Sequence, residues 1–351
     1  MNIRLCDNAD KDRWNNFIFE FSDSPYHLYQ WKEIFESVYG YQCKYLMAED
    51  QRRIVGVFPV AIVRSKLFGV RISSLPFSDY GGPLLGHIST SSLLIDSFMD
   101  CLSPFVSQAD YLEVRSPIQP KVTAYLKKKL ELSDVKYVTF VIDLNKSFDE
   151  IWRHVFDKYL RNAIRKAIKN KIVVFEGDFE EYFDDFYRTY ALSMKRLGSP
   201  PHYEKFFKSC YQLLGEDHVK LFLATVSNEV IGGVLTFLGK HTIYPGYEGL
   251  RQKYRHLNPA SLIFSQIMEW GCENKYLRFN FGRTLHRSGV YNFKKQWGGK
   301  EVLMPYSYLG RKIPQKDPRQ KYSSFSRLWS RIIPYWMTKK IGPRLKGGIG
   351  Y

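Results

Sequence analysis

Tyr45-Leu46-Met47-Ala48, a polar turn, and Ile54-Val55-Gly56-Val57 return half a chain later as Leu221-Phe222-Leu223-Ala224, a polar turn, and Val230-Ile231-Gly232-Gly233-Val234. Short apolar runs rich in β-branched and aromatic residues, joined by a few polar ones, read as paired antiparallel strands. The spacing carries the information, because Ala48 to Ala224 and Gly56 to Gly232 are both separated by 176 positions. Each copy continues into a third strand, at residues 71–75 after the Phe68-Gly69 turn and at residues 241–247 after Gly239-Lys240. Two three-stranded meanders in step, half a chain apart, predict duplicated domains.

Between the meanders, the periodicity predicts helices at 89–106, 148–170, 184–197 and 203–214. Strands thus alternate with helices in an α/β or α+β arrangement of two similar halves. In the helix from Phe148, Trp152, Phe156, Tyr159, Ala163 and Ala167 fall on one side and Lys158, Arg161, Arg165 and Lys169 on the other. The basic side reads either as a solvated face or as a phosphate-binding one. Asn258-Pro259-Ala260 opens a helix running to Asn274: Asn258 is expected to cap the free amides, Pro259 fits the first turn, and Ile263, Ile267 and Trp270 form a buried stripe. The expected organisation is 1–145 and 146–310 as two domains, followed by a basic, aromatic tail at 311–351.

With 351 residues, 44% hydrophobic and 25% charged, the chain has the composition of a folded protein of about two domains. Its longest nearly apolar run, residues 54–63, contains Pro59 and falls far short of the roughly 20 residues that span a bilayer. Residues 1–10 lack the basic and apolar regions of a secretory signal. Five scattered cysteines without a Cys-x-x-Cys pair argue against a disulfide framework or a thiolate metal site, and Cys101 and Cys272 are expected to be buried filler. The histidines show no metal-ligand spacing, so no metal is expected. These features fit a cytoplasmic protein.

The net charge is +17, and residues 311–351 hold eleven Lys or Arg against one Asp. Interleaved with Phe325, Trp329, Ile332, Ile333, Tyr335 and Trp336, these cations suit an anionic membrane surface, where rings sit at headgroup level. RNA phosphates would attract them as well. A C-terminal helix packing its rings back onto the protein would use the same pattern.

A second informative stretch is Phe279-Asn280-Phe281-Gly282-Arg283-Thr284 with Tyr291-Asn292-Phe293-Lys294-Lys295-Gln296-Trp297-Gly298-Gly299. Leu277, Phe279 and Phe281 alternate as a strand does, Gly282 lets the backbone leave it, and Arg283 falls at the strand end. Phe293 and Trp297, four apart, can pin the next segment while Lys294 and Lys295 project elsewhere. An ordinary strand, loop and amphipathic turn with solvated cations has the same pattern. The chain has no Gly-x-Ser-x-Gly elbow.

In the order of these segments the chain resembles the FemAB group of peptidoglycan-bridge aminoacyltransferases and the FemAB-like acyltransferases of exopolysaccharide and exosortase loci, relatives of the GNAT superfamily. The resemblance runs from about Ser24 to Gly310 as a series of matches: Trp31 with Tyr39-Gly40-Tyr41, Ser74-Leu75-Pro76-Phe77 with Tyr80-Gly81-Gly82-Pro83, Arg161-Asn162-Ala163-Ile164-Arg165-Lys166-Ala167, residues 194–200, and the Phe-Gly-Arg and Phe-Lys-x-x-Trp-Gly segments. It implies two tandem GNAT-like domains, each a mainly antiparallel sheet flanked by helices. It implies an N-acyltransferase working by direct transfer in a ternary complex, without a covalent nucleophile or a bound cofactor. Phe293 and Lys294 match the Phe-Lys pair near the reacting ester, which assigns Lys294 to charge stabilisation at the transferred carbonyl; Lys294→Met is then expected to lower turnover with little change in stability. Arg161, Arg165 and Lys166 would hold phosphorylated substrate, and Arg283 would clamp a phosphate or carboxylate. Asp79, Tyr80 and Tyr247 are the candidates for acceptor binding.

The acceptor would be an amino group on a nucleotide- or lipid-linked envelope or polysaccharide precursor. The acyl donor would be a co-substrate, either aminoacyl-tRNA or acyl-CoA, or an acyl carrier protein. The glycine-rich Gln/Arg-x-x-Gly-x-Gly/Ala signature that receives the coenzyme A pyrophosphate is missing before Pro259. The cysteine usage and the tail together predict a cytoplasmic location, peripheral on the inner membrane face. A noncatalytic RNA- or membrane-binding protein on the same scaffold is the competing class.

Overall fold

The paired runs form the two hairpins expected from their spacing: β2 (Gln42–Asp50) with β3 (Arg53–Ser65), and β10 (Val219–Val226) with β11 (Glu229–Leu238). Both turns hold two consecutive residues in the left-handed region, Gln51 and Arg52 in one, Ser227 and Asn228 in the other. That is the turn geometry whose twist matches the flanking strands. Both ladders shift register at the same step, after Ala48 and after Ala224, and each alanine lies opposite a glycine, Gly56 or Gly232. The repeat therefore holds residue by residue. The third strands β4 (Gly69–Ser73) and β12 (Thr242–Leu250) each meet a parallel neighbour, β6 (Tyr111–Val114) beside β4 and β13 (Arg278–Asn280) beside β12.

The structure, a computed structural model, describes residues 2–86, 91–315 and 323–350. The chain separates into two compact units, one of Met1–Tyr137, Met304–Pro318 and Arg344–Tyr351, the other of Val138–Leu303 and Arg319–Pro343. The first sheet adds β1 (Asn2–Leu5), β7 (Glu131–Leu132) and β16 (Ser307–Gly310) in the order β1-β2-β3-β4-β6-β16-β7, with β5 (Leu84–Leu85) against β3. The second adds β8 (Tyr137–Asp143), β9 (Val173–Gly177) and β14 (Thr284–Leu285) in the order β14-β8-β13-β12-β11-β10-β9, with β15 (Lys300–Leu303) against β8. In corresponding places, β16 from late in the chain completes the first sheet and β8 completes the second. The expected blocks 1–145, 146–310 and 311–351 are thus interleaved.

Each unit has its own core. In the first, Phe58, Ile72 and Leu112 meet Ile95 and Phe98 of the helix Ser91–Val106. In the second, Phe222, Val234 and Ile243 meet Ile263 and Ile267 of α9 (Pro259–Glu273). At roughly 1.5–3 kcal/mol for each fully buried large apolar side chain, these contacts hold the helices in place more than helix propensity does.

Four local expectations are corrected. The helix expected at 148–170 is two, α5 (Phe148–His154) and α6 (Lys158–Lys169), because the Asp157 side chain accepts from the Leu160 amide at 2.7 Å and starts a new helix. The restart changes the phase: Leu160, Ile164 and Ala167 are buried, whereas Tyr159 is 81% exposed. Asn258 takes a left-handed backbone and makes no side-chain cap, although Pro259 opens the helix as expected. Cys101 is exposed and Cys272 only half-buried.

The tail forms two helices, Ser323–Arg331 and Tyr335–Ile349. Trp329 and Thr338 are buried, while Leu328, Ile332 and Trp336 are 49%, 66% and 65% exposed. Lys316, Arg319 and Lys321 of the basic tail, and the start expected for the helix at 89–106, lie outside the described residues. Among the described residues, no helix is long and apolar enough to cross a membrane.

Candidate active site

In the second unit, β13 points Phe279 into the core, and the Asn280 side chain fixes the strand exit. Its Oδ1 accepts from Thr139 Oγ1 at 2.6 Å and from the Gly282 amide at 3.0 Å. Gly282 has φ +69°, which a side chain would resist. After a short loop, α10 (Gly289–Lys295) begins at Ser288, whose hydroxyl caps the Tyr291 amide at 3.1 Å. Trp297 is fully buried, 5.2 Å from the ring of Phe156 and 5.4 Å from that of Phe281. Phe293 is half-buried against Phe264 at 5.9 Å. Gly298, at φ +73°, lies so close to Val155 that a Cβ would stand 2.3 Å from its carbonyl oxygen. The Phe-Lys-x-x-Trp-Gly segment is therefore clamped at both ends.

Within that clamp, Lys294 Nζ donates to three backbone carbonyls, those of Phe281 at 2.6 Å, Gly282 at 2.8 Å and Arg283 at 3.2 Å. An ammonium has three hydrogens to give. The charge fastens the exit turn that carries Arg283, which is itself half-buried.

Glu248 on β12 is the residue that sequence reasoning missed. It is half-buried, and burial pushes its carboxyl above the usual carboxylate range, while Lys294, Arg255 and Arg196 pull it back down. Arg196 ends α7 (Phe179–Arg196); burial and the nearby Arg255 lower its affinity for its proton, and its buried Nε has no hydrogen-bond partner. Strand and helix are locked together here. A Cβ on Gly249 would stand 2.3 Å from the Tyr190 amide nitrogen, and Ser193 Oγ bridges the amide and carbonyl of Leu250 at 2.8 Å and 3.0 Å. The available signal was one acid in an otherwise uncharged strand, Thr242–Leu250, with Arg196 inside the segment 194–200.

The other candidates separate. Arg161 is half-buried and donates to the carbonyls of Trp152 and Arg153, both at 3.2 Å, and to that of Phe156, closing the end of α5. Arg165 and Lys166 are exposed, and the Arg165 guanidinium lies 5.5 Å above the Trp152 ring. Tyr247 sits in an aromatic cluster, 5.1 Å from both His202 and Phe207.

In the first unit, Asp79 and Tyr80 are half-buried in a strained turn, where Leu75 and Phe77 adopt φ +57° and +63°. Such conformations cost on the order of 1–3 kcal/mol each and cluster at functional sites. Ser78 Oγ lies 2.5 Å and 2.6 Å from the carbonyls of Leu75 and Tyr80, and Tyr306 Oη donates to the Asp79 carbonyl at 3.1 Å. Buried nearby, His27 has Nε2 3.3 Å from the Gly82 carbonyl, and burial pushes its pKa down to about 4. No grouping of His, Cys, Asp or Glu fit for a metal occurs among the described residues.

A half-buried carboxyl opposed by cations can take a proton from an amine, and an exposed basic helix can hold phosphate. Residues 155–295 match the acetyltransferase (GNAT) domain family model. No curated protein sequence matches the chain. The crystal structure of FemX is similar over 93% of this chain and 100% of its own, with a TM-score of 0.66 and 15% identity. L-PGS from Bacillus licheniformis is similar over 94% of this chain and 98% of its own, with a TM-score of 0.56 and 12% identity. A tandem GNAT protein from the clavulanic acid biosynthesis pathway is similar over 89% of this chain and 100% of its own, with a TM-score of 0.53 and 9% identity.

Proposed function

We propose, from the match of residues 155–295 to the GNAT acetyltransferase domain model and a fold similar to that of FemX, that this protein is an acyltransferase that transfers an aminoacyl group to an amine on a nucleotide- or lipid-linked envelope precursor. The observation that carries the proposal is Glu248, a half-buried carboxyl held above its usual range on the strand beside Lys294. In this reading the acceptor nitrogen attacks the carbonyl carbon of the donor and its proton passes to Glu248. The bond from that carbon to the donor oxygen breaks, and the leaving oxygen takes up a proton. Lys294 holds the turn at Gly282 and Arg283 in place, with Phe293 and Trp297 fixing the helix that carries it. Arg165 and Lys166 supply an exposed basic surface for donor or acceptor phosphate, Arg283 a further cation at the strand exit.

The fold shared with FemX and L-PGS and the missing glycine-rich signature favour aminoacyl-tRNA over acyl-CoA as donor. Leu328, Ile332 and Trp336, exposed among the exposed cations Arg327, Arg331 and Lys340, support peripheral binding to an anionic membrane. The test is a donor screen that offers aminoacyl-tRNA and acyl-CoA in parallel with amine-bearing precursors and reads the mass gained by the acceptor. Aminoacyl mass gain that Glu248→Gln lowers at least 100-fold is expected. Acetyl or fatty-acyl gain alone would reassign the donor, and full activity of Glu248→Gln would remove the base.

A further inference from the structure

The helix Tyr335–Ile349 contains Gly342, Pro343, Gly347 and Gly348, among the poorest compositions for a helix interior. Its last turn is nevertheless formed, and the carbonyls that a helix end leaves unsatisfied are met by side chains of the first unit. Tyr41 Oη donates to the Gly347 carbonyl at 2.6 Å, Arg71 Nη2 to that of Gly348 at 2.9 Å, and Arg115 Nη2 to that of Gly350 at 3.0 Å.

These donors are built into the unit. Arg115 is fully buried, with Nε on Glu113 at 2.8 Å and Nη1 on the Ser78 carbonyl at 2.6 Å; Arg71 is also buried. The walls are aromatic: Tyr39 and Tyr41 stack at 5.3 Å, with Phe77 5.0 Å from Tyr39. Only glycine fits this place. A Cβ at Gly347 would stand 2.7 Å from the Tyr39 ring, and one at Gly350, where φ is +65°, 2.4 Å from Arg71 Nη2.

We propose that the turn Gly347–Gly350 is a displaceable internal ligand, occupying a pocket of the first unit that binds a pyrophosphate group when the turn withdraws. A helix C-terminus presents oxygen acceptors carrying partial negative charge, and two guanidiniums with a tyrosine hydroxyl suit phosphate oxygens at least as well, since Arg binds them through paired, charge-assisted hydrogen bonds. The turn is held by these donors and by shape rather than by helix propensity, so a stronger anion can replace it. Ser78, whose carbonyl Arg115 holds, precedes Asp79 and Tyr80, so the pocket adjoins the strained turn. The proposal stands on the first unit alone and requires no acyl transfer.

The test uses the full chain, with hydrogen exchange over residues 344–350 and calorimetric titration of inorganic pyrophosphate. Pyrophosphate should speed exchange of this segment at least 10-fold in the wild type. Gly350→Ala, which drives a methyl group into Arg71, should speed exchange without ligand and tighten pyrophosphate binding several-fold, whereas Tyr41→Phe, which removes a donor from the turn and from pyrophosphate alike, should speed exchange without that gain. Arg71→Gln in the Gly350→Ala background should abolish that gain. A segment that stays protected in both single variants, or one that Gly350→Ala releases without any gain in pyrophosphate binding, overturns the proposal.

Discussion

Replacing Lys294 with Met keeps most of the aliphatic stem and removes an ammonium that donates to the carbonyls of Phe281, Gly282 and Arg283. Phe281 and Gly282 are buried, so water cannot readily take the place of the lost donor at their carbonyls. With roughly 1–1.5 kcal/mol for each of these two and little for the third, longer contact, the loss is about 2–3 kcal/mol. In a unit of this size 1 kcal/mol moves the midpoint by about 2–4 °C, so thermal unfolding should begin about 5–10 °C lower. This reverses the expectation from sequence that stability changes little. Turnover should still fall roughly 100-fold, now because the exit turn relaxes. Removing a cation that stabilises ionised Glu248 should also raise that carboxyl further, so the acid limb of the rate profile moves to higher pH. Calorimetry and pH-rate profiles of Lys294→Met and Lys295→Met test this; Lys295 is exposed and should be nearly silent. A midpoint within 2 °C of wild type would refute the structural role, and a normal profile the coupling to Glu248.

Two further outcomes follow from particular contacts. His27 is buried neutral with its pKa lowered to about 4, so the folded protein binds this proton less readily than the unfolded chain, and stability present above about pH 6.5 should be lost as pH falls towards 4, by roughly 3 kcal/mol. Urea midpoints at pH 7 and 4.5 should show this loss, and His27→Gln should flatten it. On the basic helix, Arg161→Ala should cost about 1–2 kcal/mol because it frees the end of α5, whereas Arg165→Ala should leave stability within about 0.5 kcal/mol and raise the substrate concentration for half-maximal rate. Equal stability of the two variants would show that the Arg161 contacts contribute nothing.

What the sequence determined by itself is local and periodic. Short apolar runs, a polar turn and a constant offset sufficed to read both meanders, because hairpin pairing depends on neighbours a few residues apart. The same holds for the clamp at Phe293 and Trp297, where four-residue spacing across the end of α10 brings two rings within 6.1 Å of each other. The helix beginning at Asp157 shows the limit of periodicity, since one capping side chain reset the phase and turned Tyr159 outward. Tertiary structure alone decided which partner each group meets. Nothing near residue 137 indicates that β8 completes the second sheet while β16 completes the first, because strand pairing at such separation leaves no local pattern. Lysine and arginine look alike in sequence whether they face solvent or backbone carbonyls. Arg165 does the first; Lys294, Arg161 and Arg115 do the second, each at carbonyls that a turn, a helix end or the docked terminus left without partners. Glu248 became a candidate base only when folding half-buried it near Arg196 and Lys294, residues 52 and 46 positions away in the chain.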